Sequence, residues 1–273
     1  MYDLLKGKKG IIFGALNQRS IAWQTALRAH EEGARLLLSN TPAALRMGDI
    51  QTLADICKAE VIAADATSIE DLLTLVDRAV EHFGGKVDFV LHSIAMSPNV
   101  RKAVPYEDID YAFMQKTLDI SALSFHKMMN VLYNKDAMAQ GGSIVALTYI
   151  AGERAFPLYG DMAEAKAMLE SVARSFGVKF ARKCGVRVNT VSQSPTLTTA
   201  GDGIKGMNEI YRYADKLSPL GNASAEECAG YIVSLFSDLT KKVTMQNLYH
   251  DGGFSATGIT EEALDIFNKG LEK

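Results

Sequence analysis

Short, continuously apolar runs rich in β-branched residues recur at 10–13, 35–39, 60–64, 87–93, 143–148, 186–192 and 246–250. A half-exposed strand alternates apolar and polar positions; these runs do not, and the pattern predicts strands buried on both faces. Between them, apolar residues return at spacings of three and four over 21–32, 69–83, 118–132, 163–183 and 225–235, the period of amphipathic helices. Strand and helix alternate, so the expected class is α/β with a doubly wound parallel sheet and helices on both faces.

No linker, repeat or low-complexity tract divides the sequence, which predicts a single Rossmann-type domain over 1–273. Ligands of such sheets meet the carboxyl ends of the strands, so the residues just after each strand are the candidates for chemistry. The stretch 196–219 has no clear strand and carries Gly201, Gly203 and Gly206 ahead of Met207. It reads either as a substrate-covering lid or as a plain surface excursion.

Composition narrows the function classes. With 48% hydrophobic and 22% charged residues a large core is affordable, while a formal net charge of -3 supplies no concentrated basic surface for nucleic acid. Cys57, Cys184 and Cys228 are widely spaced, with neither a C-x-x-C pair nor adjacent histidines, so no disulfide framework and no metal site is expected. The chain enters the apolar run at 10–13 with no room for a secretory leader before it, and no apolar run reaches bilayer length. A soluble, cytoplasmic protein without membrane contact is the expectation.

After the first strand, Gly14 permits a tight turn, and Ser20, ahead of Ile21, is placed to cap a helix whose amides face an anion, a cradle for pyrophosphate without the later glycines of G-x-G-x-x-G. The second strand ends at Thr41 with no acidic residue for a ribose, and Arg46 follows, so NADH and NADPH both remain open. Asp65 suits either an adenine amino group or a helix cap. The fourth strand runs through His92, read as a core group, into the loop of Ser93, Ile94 and Ser97, whose small residues either let backbone approach a nicotinamide ribose or simply pack closely. After the sixth, Thr196, Leu197, Thr198, Thr199 and Ala200 offer hydroxyls and amides, or simply a turn.

The densest chemistry lies after the fifth strand, where Tyr149 is followed by Tyr159 and Lys166. Tyr159 and Lys166 stand seven residues apart, which in a continuous helix puts them on one face. A lysine cation favours a nearby phenolate, and a phenol hydrogen bond stabilises a negative oxygen in a transition state. Read without neighbours, the same pair is also compatible with a packed tyrosine and a solvated lysine.

The residues taken in order, Gly14, Ser20-Ile21-Ala22, His92-Ser93-Ile94, Tyr149, Tyr159-x6-Lys166, Arg187-Val188-Asn189, Ser192-x-x-Pro195 and Asp251-Gly252-Gly253-Phe254, resemble the divergent short-chain dehydrogenases. Within them the chain is similar over nearly its full length to the bacterial enoyl-[acyl-carrier-protein] reductases of type II fatty-acid synthesis. That resemblance implies hydride transfer from NADH, with NADPH possible, to a trans-2-enoyl thioester on acyl carrier protein. It implies Tyr149, Tyr159 and Lys166 as catalytic residues, with Lys166 also on the ribose. Gly14, Ser20, Ile21, Thr41, Asp65, Ala66, Ser93, Ile94 and 196–200 would line the dinucleotide; Ser97, Tyr149, Tyr159 and Met162 would meet substrate. A homotetramer is implied too, and basic residues such as Lys205 and Arg212 near the lid would suit an acidic carrier protein. Ser194 stands where the family usually has glycine. Competing readings are a ketoacyl or dienoyl thioester reductase on the same scaffold, or a non-catalytic dinucleotide sensor.

Overall fold

The structure is a computed structural model that describes residues 2–157, 159–199, 201–203 and 206–271. Seven strands form one parallel sheet: β1 (Lys9–Phe13), β2 (Arg35–Asn40), β3 (Glu60–Ala63), β4 (Val87–His92), β5 (Met138–Thr148), β6 (Arg187–Gln193) and β7 (Asn247–His250). Their spatial order is β3-β2-β1-β4-β5-β6-β7, so chain order reverses between β1 and β4 and a crevice opens at the carboxyl ends there. The helices are α1 (Ile21–Glu31), α2 (Pro42–Met47), α3 (Ile50–Cys57), α4 (Ile69–Phe83), α5 (Pro98–Arg101), α6 (Tyr111–Leu118), α7 (Ser124–Asn134), α8 (Met162–Cys184), α9 (Met207–Leu217), α10 (Ala225–Phe236) and α11 (Glu261–Leu271).

Alternate residues of each strand enter opposite layers, as the two-residue period of a strand requires. Ile11, Phe13, Val90 and Ile144 pack under α4, α7 and α8 with Phe125 and Leu169. Ile12, Leu38, Leu91 and Val145 face the other way, onto Trp23 of α1 and Ile232 of α10. Each such fully buried large side chain contributes roughly 1.5–3 kcal/mol relative to exposure. All three cysteines are buried, Cys57 and Cys228 in the second layer and Cys184 in the first. No helix among the described residues is long and apolar enough to cross a membrane.

Two of the predicted elements take a different form. The helix expected over 118–132 is α6 and α7 joined by a π-helical turn at Asp119–Leu123, and the wider turn shifts the apolar phase that the periodicity follows. Only Thr117 of α6 is buried, so its own apolar signal is faint. β5 begins at Met138, earlier than its apolar run, because the register with β4 shifts between Val87 and Phe89 opposite a Gly141-Gly142 pair.

Candidate active site

The crevice between β1 and β4 is floored by Gly14, whose φ is +92°; a Cβ built there would stand 2.0 Å from the Ser93 carbonyl oxygen. Only glycine fits, and the two strand ends touch as a result. Ser20 occupies the residue before α1 but does not cap it: its hydroxyl donates to the Asn17 carbonyl at 2.7 Å and accepts from Leu16 N–H at 3.3 Å. The expected cap is therefore a loop tie, and no side chain covers the first amides of α1, ahead of Ile21. Opposite, Asn17 Nδ2 donates to Thr199 Oγ1 at 2.8 Å, and Arg19 donates to the Leu197 carbonyl at 3.2 Å and forks onto Asp202 at 2.8 and 2.9 Å. These bonds bring the loop after β1 and the segment after β6 to face each other; Thr196 lies in it, and Ala200 lies outside the described residues. The spacing of Asn17, Arg19 and Asp202 gave no sign of this clasp.

At the far end, Thr41 caps α2 by accepting from Ala44 N–H at 3.2 Å, with Arg46 exposed beyond it. Ser68, not Asp65, caps α4. Asp65 Oδ1 instead accepts from the Thr67 amide at 2.9 Å and hydroxyl at 2.8 Å, so the cap reading for Asp65 is replaced by a turn, and Ala66 inside that turn is buried.

β5 delivers Tyr149, nearly buried at 8% exposure, with its hydroxyl unpartnered and its ring 5.1 Å from that of Tyr159. Tyr159 is half-buried. It does not lie on α8: the chain turns at Gly160, φ +47°, and the helix begins at Met162, which is buried. The one-face relation of Tyr159 and Lys166 is thus not a helical one, because a left-handed residue interrupts the 3.6-residue repeat. Burial pushes both phenols above their ordinary range, so they are neutral hydrogen-bond donors. The expected lysine-favoured phenolate is overruled by that desolvation.

Lys166, 5% exposed, donates Nζ to the Leu147 carbonyl at 2.8 Å. Burial pulls its ammonium down to about 8, against an opposing pull from Glu170 one turn on. The buried Glu170 carboxyl accepts from Thr148 Oγ1 at 2.6 Å and is raised by its own desolvation. His92 is fully buried, Nε2 at 2.9 Å from Ser124 Oγ and Nδ1 unpartnered. Burial first and Lys166 second push it down to about 3, so it is a neutral core group.

Ser97 has its hydroxyl committed, donating to Asp161 Oδ1 at 2.6 Å and accepting from Val100 N–H at 3.0 Å. Ile94 is half-buried at the same loop and packs on the first core layer. The Ser194 hydroxyl accepts from Ala223 N–H at 2.9 Å, and Gln193 Oε1 lies 2.8 Å from His250 Nδ1. Ser194 is thus turned onto the loop before α10 and Gln193 onto the end of β7. The segment 196–219 carries the turn Gly201–Gly203 and α9, with Arg212 exposed; Lys205 lies outside the described residues.

The floor without a side chain, the uncapped start of α1 and the unpaired buried Tyr149 hydroxyl and Ser192 Oγ all lie near the carboxyl ends of the strands, an arrangement that fits a dinucleotide. The sequence profile described as enoyl-(acyl carrier protein) reductase matches residues 14–255. An NADH-named enoyl-[acyl-carrier-protein] reductase of Rhizobium meliloti is 35% identical over 94% of this chain and 93% of its own length. One from Bacillus cereus is 32% identical over 94% of this chain and 100% of its own. A FabI–NADH complex from Alistipes finegoldii superposes with TM-score 0.95 at 61% identity, covering 96% of this chain and 93% of that one. On the profile match and these identities, the chain belongs to the enoyl-[acyl-carrier-protein] reductase family.

Proposed function

We propose that the protein reduces trans-2-enoyl thioesters on acyl carrier protein to saturated acyl thioesters in fatty-acid elongation, with NADH as reductant. The observation that carries this reading is the pair of ring-contacting tyrosines, Tyr149 just after β5 and Tyr159 just before the helix that carries the buried Lys166. A reduced nicotinamide held there would supply the hydride that the β-carbon needs. Gly14 and the uncapped start of α1 receive the pyrophosphate, Lys166 holds ribose hydroxyls, and Thr196 to Thr199 close over the far side. Tyr159 donates a hydrogen bond to the thioester carbonyl oxygen as it gains negative charge, a contact worth about 2.7–4 kcal/mol in a desolvated site. The α-carbon then takes a proton from solvent water, which completes the addition of two hydrogens across the double bond.

The same reading assigns 196–219 as the cover over the acyl chain, Met162 and the Ser97 loop as its walls, and Arg212 to carrier-protein contact. A cytoplasmic homotetramer completes it; three buried thiols are in keeping with a reducing compartment.

The test is loss of reduced-nicotinamide absorbance with crotonyl thioester, run with NADH and with NADPH beside acetoacetyl and dienoyl thioesters. Faster oxidation with crotonyl thioester and NADH is the expected outcome. Turnover of acetoacetyl or dienoyl thioester in its place overturns the assignment in favour of that substrate, and binding of NADH without turnover of any thioester leaves a dinucleotide sensor.

A further inference from the structure

We infer that Asp161 is a positioning residue for the reduction, holding the turn that carries Tyr159 against the α5–α6 wall; the inference rests on the role of Tyr159 proposed above. Asp161 is fully buried and immediately precedes α8, where an aspartate ordinarily caps the helix through its side chain. It makes no such bond. Its carboxylate turns instead to neutral donors on other elements: Oδ1 accepts from Ser97 Oγ at 2.6 Å, and Oδ2 from Asn99 Nδ2 at 2.9 Å and Thr117 Oγ1 at 2.8 Å. A buried carboxylate is costly unless its lone pairs are filled, so this geometry is tightly specified.

Each partner is itself fixed. Ser97 caps α5. Asn99 exchanges hydrogen bonds with the backbone of Asp110, at 3.1 and 3.2 Å, and Asp110 caps α6. Thr117 lies near the far end of α6. Asp161 therefore joins the start of α8 to α5 and to both ends of α6.

The turn before it lacks comparable support. Tyr159 is tied locally by its amide to Phe156 O and by its carbonyl to Met162 N–H, both at 3.1 Å. Gly160, left-handed, frees the phenol from the helical direction, and a Cβ there would meet Val100 Cγ2 of α5 at 3.4 Å. Asp161 is thus the first side chain after Tyr159 that locks the turn to the wall. Misplacing a catalytic group by about 1 Å can cost roughly a hundredfold in rate.

The experiment compares wild type, Asp161→Ala, Asp161→Asn and Thr117→Val by kcat with crotonyl thioester, NADH dissociation constant and melting temperature. Asp161→Ala is expected to lower kcat about thirty- to a hundredfold with the NADH constant within about twofold. Asp161→Asn, which keeps the shape and an acceptor oxygen, is expected to recover about tenfold of that loss, and Thr117→Val to fall about threefold. A kcat in Asp161→Ala within about threefold of wild type overturns the inference. So does a proportionate fall of kcat, NADH affinity and melting temperature, the mark of a general packing role. Should Asp161→Ala fail to fold, unchanged kcat in both other variants overturns it equally. Absence of turnover in wild type overturns the functional reading itself, whereas wild-type turnover with unaffected variants overturns the positioning role alone.

Discussion

Tyr159 and Lys166 are separable by what they do to rate and to binding. Tyr159→Phe removes one hydroxyl from a ring that still packs on Tyr149, so kcat is expected to fall about 10²–10³-fold while NADH titration by fluorescence is unchanged. Lys166 is charged below about 8 and neutral above it, since burial favours the uncharged amine. NADH affinity is therefore expected to weaken as pH rises through that value, and Lys166→Arg, charged throughout, to flatten the limb; an identical limb in the variant would assign it elsewhere. His92, neutral above about 3, adds no limb near neutrality. The identities of these side chains were legible in the sequence. Their protonation and the left-handed turn at Gly160 were not, because both depend on what the fold packs around them. Asp161 illustrates the gap: nothing in its immediate neighbours reveals that its partners arrive from Ser97, Asn99 and Thr117.

At the scale of elements, all seven strands and the helices α1, α4, α7, α8 and α10 were legible, because burial writes periodicity into sequence. The short α2 and α5 and the unburied α11 were not, having no buried residues or too few to set a period; α3 was missed because its eight residues are too few to establish one, and α9 lies in the stretch read as a lid or surface excursion. The Arg187-Val188-Asn189 stretch of β6 reads as a family mark, and the structure gives it an architectural task. Arg187 donates to the Leu235 carbonyl at 2.7 Å, which it shares with Ser143 Oγ at 2.8 Å, to the Ser237 carbonyl at 3.0 Å and to Thr240 Oγ1 at 2.7 Å, tying down the carbonyls where α10 ends. Arg187→Gln is expected to cost about 2–3 kcal/mol by urea denaturation with little change in the Michaelis constant for NADH. A variant as stable as wild type would show those carbonyls to be satisfied by other means.

For the whole molecule, the doubly wound class followed from alternation, and the site's general place followed from the reversal of strand order, which needed only topology. The closeness of Arg19 to Asp202, far apart in sequence, needed the fold. The three buried thiols carry a further consequence. Burial raises all of them above the ordinary thiol range, Cys57 to about 11, so at neutral pH each is both protonated and shielded. A thiol-directed tag then acts as a clock for opening of the native state, with one hand in the layer under α8 and two in the layer under α1 and α10. Mass spectrometry of intact protein during slow labelling is expected to pass from no tags to three without a lasting one- or two-tag species, the signature of both layers opening as one cooperative unit. Early capture of Cys184 alone would mean instead that the layer beneath the lysine-bearing helix opens independently of the other.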